Sequence, residues 1–295
     1  MEQRRFGRIL FIQGGNNGRY PFCNSLFIDD ELKAVIDPAS DENALRTLKA
    51  DPGVDVIINS HFHEDHLTFN YLFPEAELWV PEKEAEAFSS EDVFLSWYGL
   101  PSKEYMEEWR KTLRGQFHFI ERKPERVFND GDILNFGETR AEVVHAPGHT
   151  WGHSCFFFPQ EEILFLADID LTKFGPWYGD LVSDIDDFIA SVERVRKYPA
   201  RFFITGHEHG IIEGSIDSLC ESYLAVIDER DKKLRGLLVE PRTMDEIIEA
   251  RIVYKRVREP KSFYDTGEWA IMRKHLERMI ARGEAKDDGG KYRLA

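Results

Sequence analysis

A chain of 295 residues that is 42% hydrophobic and 13% aromatic can bury one large core, or one core and a small appendage, as an ordinary folded protein does. Its formal net charge of -16 excludes a surface built throughout to attract nucleic acid. The acidity is uneven: residues 1–214 hold 21 Lys and Arg against 38 Asp and Glu, whereas residues 215–295 hold 17 against 16, so a composition break falls near residue 214.

The chain opens as short strands, Arg8 to Gln13, Asn24 to Asp29 and Lys33 to Asp37, a β-meander with an Asp-Asp-Glu turn between the last two. Helical spacing from Asp41 to Ala50, behind Ser40 as N-cap, leads to a β-branched strand, Val54 to Asn59, that stops where a group of histidines begins. An irregular, aromatic-rich insertion is expected at about residues 89–119, where Phe94, Trp97, Tyr98, Tyr105 and Trp109 serve either as extra core or as a lid beside a site. A second strand-rich stretch runs through Arg126 to Phe128, Ile133 to Phe136, Thr139 to His145, Ser154 to Phe158 and Ile163 to Ala167. Two strand-rich halves, each followed by helix, predict a layered α/β sandwich over residues 1–214. Helical patterns then cover Ser215 to Leu238, Thr243 to Arg256 behind a Thr243 cap, and Trp269 to Arg282, before a hairpin turning at Asp287-Asp288-Gly289-Gly290. Three helices and a hairpin predict a winged-helix-like module over residues 215–295.

Cys23, Cys155 and Cys220 are too few and too widely spaced for a disulfide framework or a C-x-x-C site, which fits a reducing cytosol. The apolar run from Ile9 to Ile12 is far shorter than a signal h-region, and no stretch approaches a transmembrane span. A cytoplasmic protein without a membrane partner is the expectation.

The chemistry is concentrated in His61-Phe62-His63-Glu64-Asp65-His66, directly after a buried strand. Three imidazoles and a carboxylate packed together without a partner would be costly to desolvate, and a bound cation removes that cost. Imidazole with carboxylate suits Zn, Fe or Mn better than Ca or Mg, which prefer oxygen shells. Three later strands end on similar residues: Gly148-His149-Thr150, Leu166-Ala167-Asp168 and Thr205-Gly206-His207.

The succession H-x-H-x-D-H, G-H-T, strand-Asp and G-H resembles the metallo-β-lactamase superfamily from about residue 8 to about residue 210. The resemblance implies a four-layer αββα sandwich and a site for two divalent metal ions, zinc first, with iron or manganese as alternatives. Carried over by motif position, His61, His63 and His149 would hold one metal, Asp65, His66 and His207 the other, and Asp168 would bridge both. A shared hydroxide is then the expected nucleophile, and Asp65, or water held by the second metal, would pass a proton to the leaving group.

Nearby residues carry expectations of their own. Asp37 should orient a ligand imidazole, His153 should act as a supporting donor, and Glu64 should be an exposed carboxylate. His207 is preferred to His209 because it follows the Gly, and Asp168 to Asp170 because it directly ends its apolar strand. Phe174, Trp177 and Tyr178 should line a substrate pocket or pack in the core. Departures from the family pattern are Leu67-Thr68-Phe69 where glycines usually follow the first motif, Ala39 where glycine is usual, and Trp151 where proline is common. They leave the ligand set intact but make transfer of a substrate from any familiar subfamily unsafe.

A small-molecule hydrolase acting on an ester, thioester or related acyl bond is the leading expectation, with thioesterases resembling glyoxalase II the nearest case. An endoribonuclease or other phosphodiesterase is the alternative, because the C-terminal module resembles that of relatives of human β-lactamase-like protein 2. Arg251, Lys255, Arg256, Arg258 and Lys261, then Arg273, Lys274, Arg278 and Arg282, supply basic clusters that could touch RNA. A metal-containing nucleic-acid-binding regulator is a further reading, and the module is expected instead to pack on the core and help shape the pocket. A flavin-linked di-iron role is disfavoured because His63 stands where such relatives carry Glu.

Overall fold

A computed structural model describes residues 3–295. Its first sheet has seven strands in sequence order: β1 (Gln3–Phe6), β2 (Ile9–Ile12), β3 (Ser25–Ile28), β4 (Ala34–Ile36), β5 (Val56–Ile58), β6 (Glu77–Pro81) and β7 (Arg126–Phe128). Pairing is antiparallel as far as β4 and parallel from β4 to β7. The second sheet has the order β13-β12-β11-β10-β9-β8, built from β8 (Ile133–Asn135), β9 (Arg140–His145), β10 (Ser154–Phe158), β11 (Ile163–Ala167), β12 (Phe202–Thr205) and β13 (Ile211–Glu213).

Strand periodicity explains the layering. Ile9, Phe11, Val56 and Ile58 of the first sheet face Phe156, Phe158, Ile163 and Phe165 of the second in a shared apolar core. The intervening Ile12 and Ile57 face outward beneath the helices Glu42–Ala50, Glu91–Tyr98 and Lys103–Gly115. On the other side, Leu164 and Leu166 face the helices Ile185–Val195 and Asp217–Leu237. With both faces of the central strands buried, their sequences read as continuous apolar runs, and the result is an αββα sandwich.

Several local expectations are corrected. Asp41, not Ser40, caps the first helix, accepting from Ala44 N at 2.8 Å. The insertion is helical rather than irregular: Ser90 and Ser102 cap its two helices, Gly99 ends the first at φ 60°, and Arg110 and Arg114 both grip Glu91 to pin one helix on the other. The helix behind Thr243 stops at Glu249, because Arg251 turns to φ 52° and the Glu268 carboxylate takes the amides of Val253 and Tyr254. The last helix begins at Lys261 and runs to Ala281. Strands β1 and β6 carry no strong alternation and were not legible.

The composition break falls between β13 and the helix starting at Asp217. Beyond it, β14 (Arg242–Thr243), β15 (Ala285–Asp287) and β16 (Lys291–Leu294) form a small sheet in the order β14-β16-β15. The C-terminal helices are not suspended from the sandwich: Ile227, Ile247, Ile271, Met272 and Leu276 share a core with Tyr178 and Ile185. Among the described residues no helix is long and apolar enough to cross a membrane.

Candidate metal centre

Strands β5, β9, β11 and β12 each release a polar residue where they end, and the structure brings all seven residues of the sequence-derived ligand set together in buried positions. His61, His63, His149 and Asp168 offer ligand atoms within 4.8 Å of one another, as do Asp65, His66 and His207. Asp168 faces both groups. Its Oδ1 lies 2.8 Å from His66 Nε2 and 3.4 Å from His207 Nε2, while Oδ2 lies 3.1 Å from His149 Nε2 and 3.8 Å from His61 Nε2. The orientation comes from a register shift near the end of β11 and from Ala167 at φ 45°, a conformation unusual for alanine, held by Gly206 N on the Ala167 carbonyl.

The outward ring nitrogens are committed to acceptors. His61 Nδ1 donates to Ser60 Oγ at 2.9 Å, which donates to Asp37 Oδ2 at 2.7 Å; the same oxygen accepts from His66 Nδ1 at 2.9 Å. His63 Nε2 donates to Asp180 Oδ2 at 2.6 Å, and His149 Nδ1 to the Trp177 carbonyl at 3.0 Å. His207 Nδ1 donates to the carbonyls of Gly18 at 2.9 Å and Phe22 at 3.0 Å. A proton fixed on each outward nitrogen leaves a lone pair on each inward one.

Those inward atoms crowd together: His149 Nε2 is 2.8 Å from His63 Nδ1 and 3.2 Å from His61 Nε2, and His66 Nε2 is 3.2 Å from His207 Nε2. Asp168 Oδ1 is buried without an aligned hydrogen bond. Converging lone pairs and an orphaned carboxylate oxygen are unfavourable alone and satisfied by cations, so the donors fit a dinuclear metal site. Burial opposes charge on Asp168, but His66, His207 and His149 hold its carboxyl well below the usual range.

A family model described as the metallo-beta-lactamase superfamily matches residues 18–207. The chain belongs to the metallo-beta-lactamase superfamily. The acyl-coenzyme A thioesterase MBLAC2 of Bos taurus is 30% identical over 165 residues, which cover 53% of this chain and 53% of that protein. The hydroxyacylglutathione hydrolase GloC of Haemophilus influenzae is 27% identical over 154 residues, covering 50% of this chain and 65% of that one. The chain thus spans about half the length of the first of these curated relatives. A metallo-beta-lactamase family protein from Thermus thermophilus superposes with a TM-score of 0.73 at 22% identity, covering 97% of this chain and 98% of that one. A beta-lactamase domain protein from Burkholderia ambifaria gives 0.74 at 18% identity, covering 100% and 94%. These likenesses extend the shared fold through the C-terminal helices.

Around this superfamily centre the supporting residues fall into place. His153 is buried; its Nδ1 donates to the Ala146 carbonyl and its Nε2 accepts from Asp168 N at 3.0 Å. Burial, then the nearby His149, pushes His153 down to about 3, so it steadies the Asp168 backbone as a neutral ring. Asp170 accepts from His207 N at 2.9 Å. His209 is exposed and its Nε2 lies 3.3 Å from the Leu171 carbonyl. Glu64 corrects the expectation of an exposed carboxylate: it is buried, Tyr20 donates to Oε1 at 3.0 Å, Tyr98 donates to Oε2, and burial raises it to about 7. Leu67 and Phe69, of the segment that departs from the family's x-Gly-Gly pattern, pack beneath the helix layer, and Trp151 stacks edge-on against Trp97 at 5.0 Å.

A cavity of about 700 Å³ opens over the centre, with His63, Asp65, His149, Asp168 and His207 in its wall. Tyr98, Tyr105 and Trp109 of the insertion, Phe174 and Trp177, and Tyr254 and Trp269 from the C-terminal part complete it. Phe94 and Tyr178 belong to the core instead. Sequence reasoning missed Ser60, Asp180 and Glu84. Ser60 lies beside the first motif, but no spacing rule marks Asp180 or Glu84.

Glu84 secures the loop that follows His149. Its Oε1 accepts from Thr150 Oγ1 and from Gly152 N at 2.8 Å, and a Cβ at residue 152 would sit 2.5 Å from Glu84 Cγ, so only glycine admits this approach. Its Oε2 is buried without a partner, and burial raises the carboxyl from 4.5 to about 7. The folded chain therefore holds this proton more tightly than the unfolded chain. Stability of the metal-free protein should fall as pH rises from 4.5 to about 7, by up to about 3 kcal/mol. Glu84→Gln should flatten that dependence, measured by denaturant unfolding across the window; an unchanged slope would assign it to other groups.

Proposed function

We propose that the chain is a hydrolase that uses two divalent metal ions to cleave a small-molecule acyl bond, a thioester foremost. The observation that carries this reading is the pair of oxygens on Asp168, one turned to each half of a seven-residue donor set at the wall of an aromatic cavity. Zinc suits the imidazole and carboxylate donors first, and iron and manganese fit the same set. When bound, such a pair supplies a water-derived nucleophile at neutral pH and polarises the acyl oxygen.

The residues of the chain do the rest. Asp37 and Ser60 hold His61 and His66 with their lone pairs inward, and Asp180 and the Trp177 carbonyl do the same for His63 and His149. Asp65, 3.3 Å from His207 Nε2 and in the cavity wall, is the carboxylate placed to carry a proton to the leaving group. The aromatic walls suit an apolar acyl chain and exclude water from it. Support for the thioester class also comes from the names of the two relatives, a thioesterase and a hydrolase of a glutathione thioester.

The phosphodiesterase alternative has less support. Arg251 pairs with Asp265, Arg273 and Lys274 hold backbone carbonyls, and Arg278 and Arg282 both reach Asp186, so most of the basic cluster is engaged internally. Metal analysis followed by a hydrolysis screen of thioesters, lactones, phosphodiesters and single-stranded RNA tests the choice, with Asp65→Ala as control. Thioester turnover lost in the control is the expected result. RNA cleavage lost in the control would reverse the ranking, and a full metal complement with no turnover would favour a binding protein.

A further inference from the structure

Two of the three histidines in one half of the centre, His63 and His149, are supported from a different part of the chain than the other histidines. The ring nitrogens of His61 and His66 lead to Asp37, and that of His207 leads to the carbonyls of Gly18 and Phe22. All of these acceptors lie in the N-terminal part. By contrast, His63 and His149 depend on Asp180 and on the Trp177 carbonyl. Both belong to residues 168–184, which contain neither strand nor helix.

A segment without regular structure must satisfy its backbone elsewhere, and here the C-terminal helices do it. Arg230 Nη1 donates to the Pro176 carbonyl at 2.7 Å and to Tyr178 Oη at 2.9 Å, while Nη2 donates to the Phe174 carbonyl at 2.9 Å. Arg273 Nη2 donates to the Gly179 carbonyl at 2.8 Å, and Lys274 Nζ to the Leu181 carbonyl at 3.0 Å. The anchored carbonyls bracket Trp177 on both sides and Asp180 on both sides. Tyr178 also donates to His275 Nε2 at 2.8 Å, and His275 Nδ1 donates to Asp231 at 2.6 Å. Arg230 is only 2% exposed and lies over the rings of Phe174 and Tyr178 at 5.2 and 5.5 Å. The contact is close: a Cβ on Gly175 would fall 2.5 Å from Val226 Cγ1.

We propose that Arg230, Arg273 and Lys274 are positioning residues that set the metal affinity of one half of the centre, the half formed by His61, His63 and His149. They act through Trp177 and Asp180 and leave the half formed by Asp65, His66 and His207 unaffected. The inference rests on the metal-dependent reading above.

The test is titration of the metal-free, full-length protein with cobalt(II), followed by visible absorption and chelator competition. Wild type should show two sites. In Arg230→Met, one site should weaken about 10- to 100-fold, the range typical for lost outer support of a ligand, with the other changed less than about twofold. Asp180→Asn should weaken the same site, and the double variant should be little weaker than Asp180→Asn alone, since both changes break one chain of support. Thermal unfolding of the metal-free forms checks folding; should Arg230→Met fail to fold, Arg273→Gln carries the same expectation. Two wild-type sites with both or neither weakened in the variants, or fully additive losses, would overturn the inference while sparing the metal reading. A wild-type protein that binds no cobalt would overturn the metal reading itself.

Discussion

Asp168→Ala is expected to strip the protein of both metals and to lower kcat/KM by about 10⁴-fold or more. One carboxylate reaches His66 and His207 with Oδ1 and His149 and His61 with Oδ2, so its removal takes a ligand from each half at once. Five inward-facing imidazoles then remain with Asp65 as the one carboxylate of the set. Metal chemistry supplies several kcal/mol of transition-state stabilisation, and each 1.36 kcal/mol is tenfold in rate, which gives the expected size. Metal content by elemental analysis and turnover of the best thioester measure it. Retention of two metals per chain in Asp168→Ala would show that the carboxylate does not bridge.

Asp37→Asn should produce the next largest loss, although Asp37 would touch neither metal nor substrate. Its fully buried carboxylate accepts from Ser60 N at 2.7 Å, Ser60 Oγ at 2.7 Å and His66 Nδ1 at 2.9 Å. An amide has one acceptor face and one donor face, so in either orientation a donor meets a donor. With the amide nitrogen toward His66, the imidazole must move its proton to Nε2, the atom that faces the centre. With the amide reversed, Ser60 N loses its partner in the core, at a cost of about 1–3 kcal/mol. Metal affinity should fall about 10- to 100-fold, and the metal-free protein should unfold more readily. The backbone will not be the reason, since Asn tolerates the left-handed φ of 49° at this position as well as Asp does. Calorimetric metal titration and denaturant unfolding separate the two effects; unchanged affinity would remove Asp37 from the ligand-orienting chain.

Legibility in the sequence followed the range over which each feature is encoded. The central strands were readable to within a residue or two because both faces are buried, leaving uninterrupted apolar runs such as Ile163–Ala167. Helix ends were read less well, since Ser40 and Asp41 are equally good caps in a string of letters and only the fold decides which side chain meets Ala44 N. The insertion was misjudged although Met106, Trp109 and Leu113 recur at helical spacing in Lys103–Gly115 and pack on one cluster, because its aromatic residues drew the reading toward an irregular segment. Glu64 looked exposed because nothing local announces Tyr20 and Tyr98, which come from distant parts of the chain.

The sequence alone named the candidate donors and their order, because each candidate follows a strand end and strand ends are written locally. His61 through His66, His149, Asp168 and His207 could therefore be named without coordinates. Only the tertiary structure decided what aims those donors and what covers them. Asp180 lies 117 residues from the His63 it orients, and the acceptor for His149 is a main-chain carbonyl, which no side-chain pattern can mark. Arg230, Arg273 and Lys274, from helices beyond residue 214, hold the neighbouring carbonyls of Pro176, Gly179 and Leu181, and of these three only Arg273 and Lys274 belong to the basic clusters that gave the alternative RNA reading in sequence. Charge in a sequence does not say whether it faces water or a buried carbonyl, and here Arg273 and Lys274 donate to the carbonyls of Gly179 and Leu181.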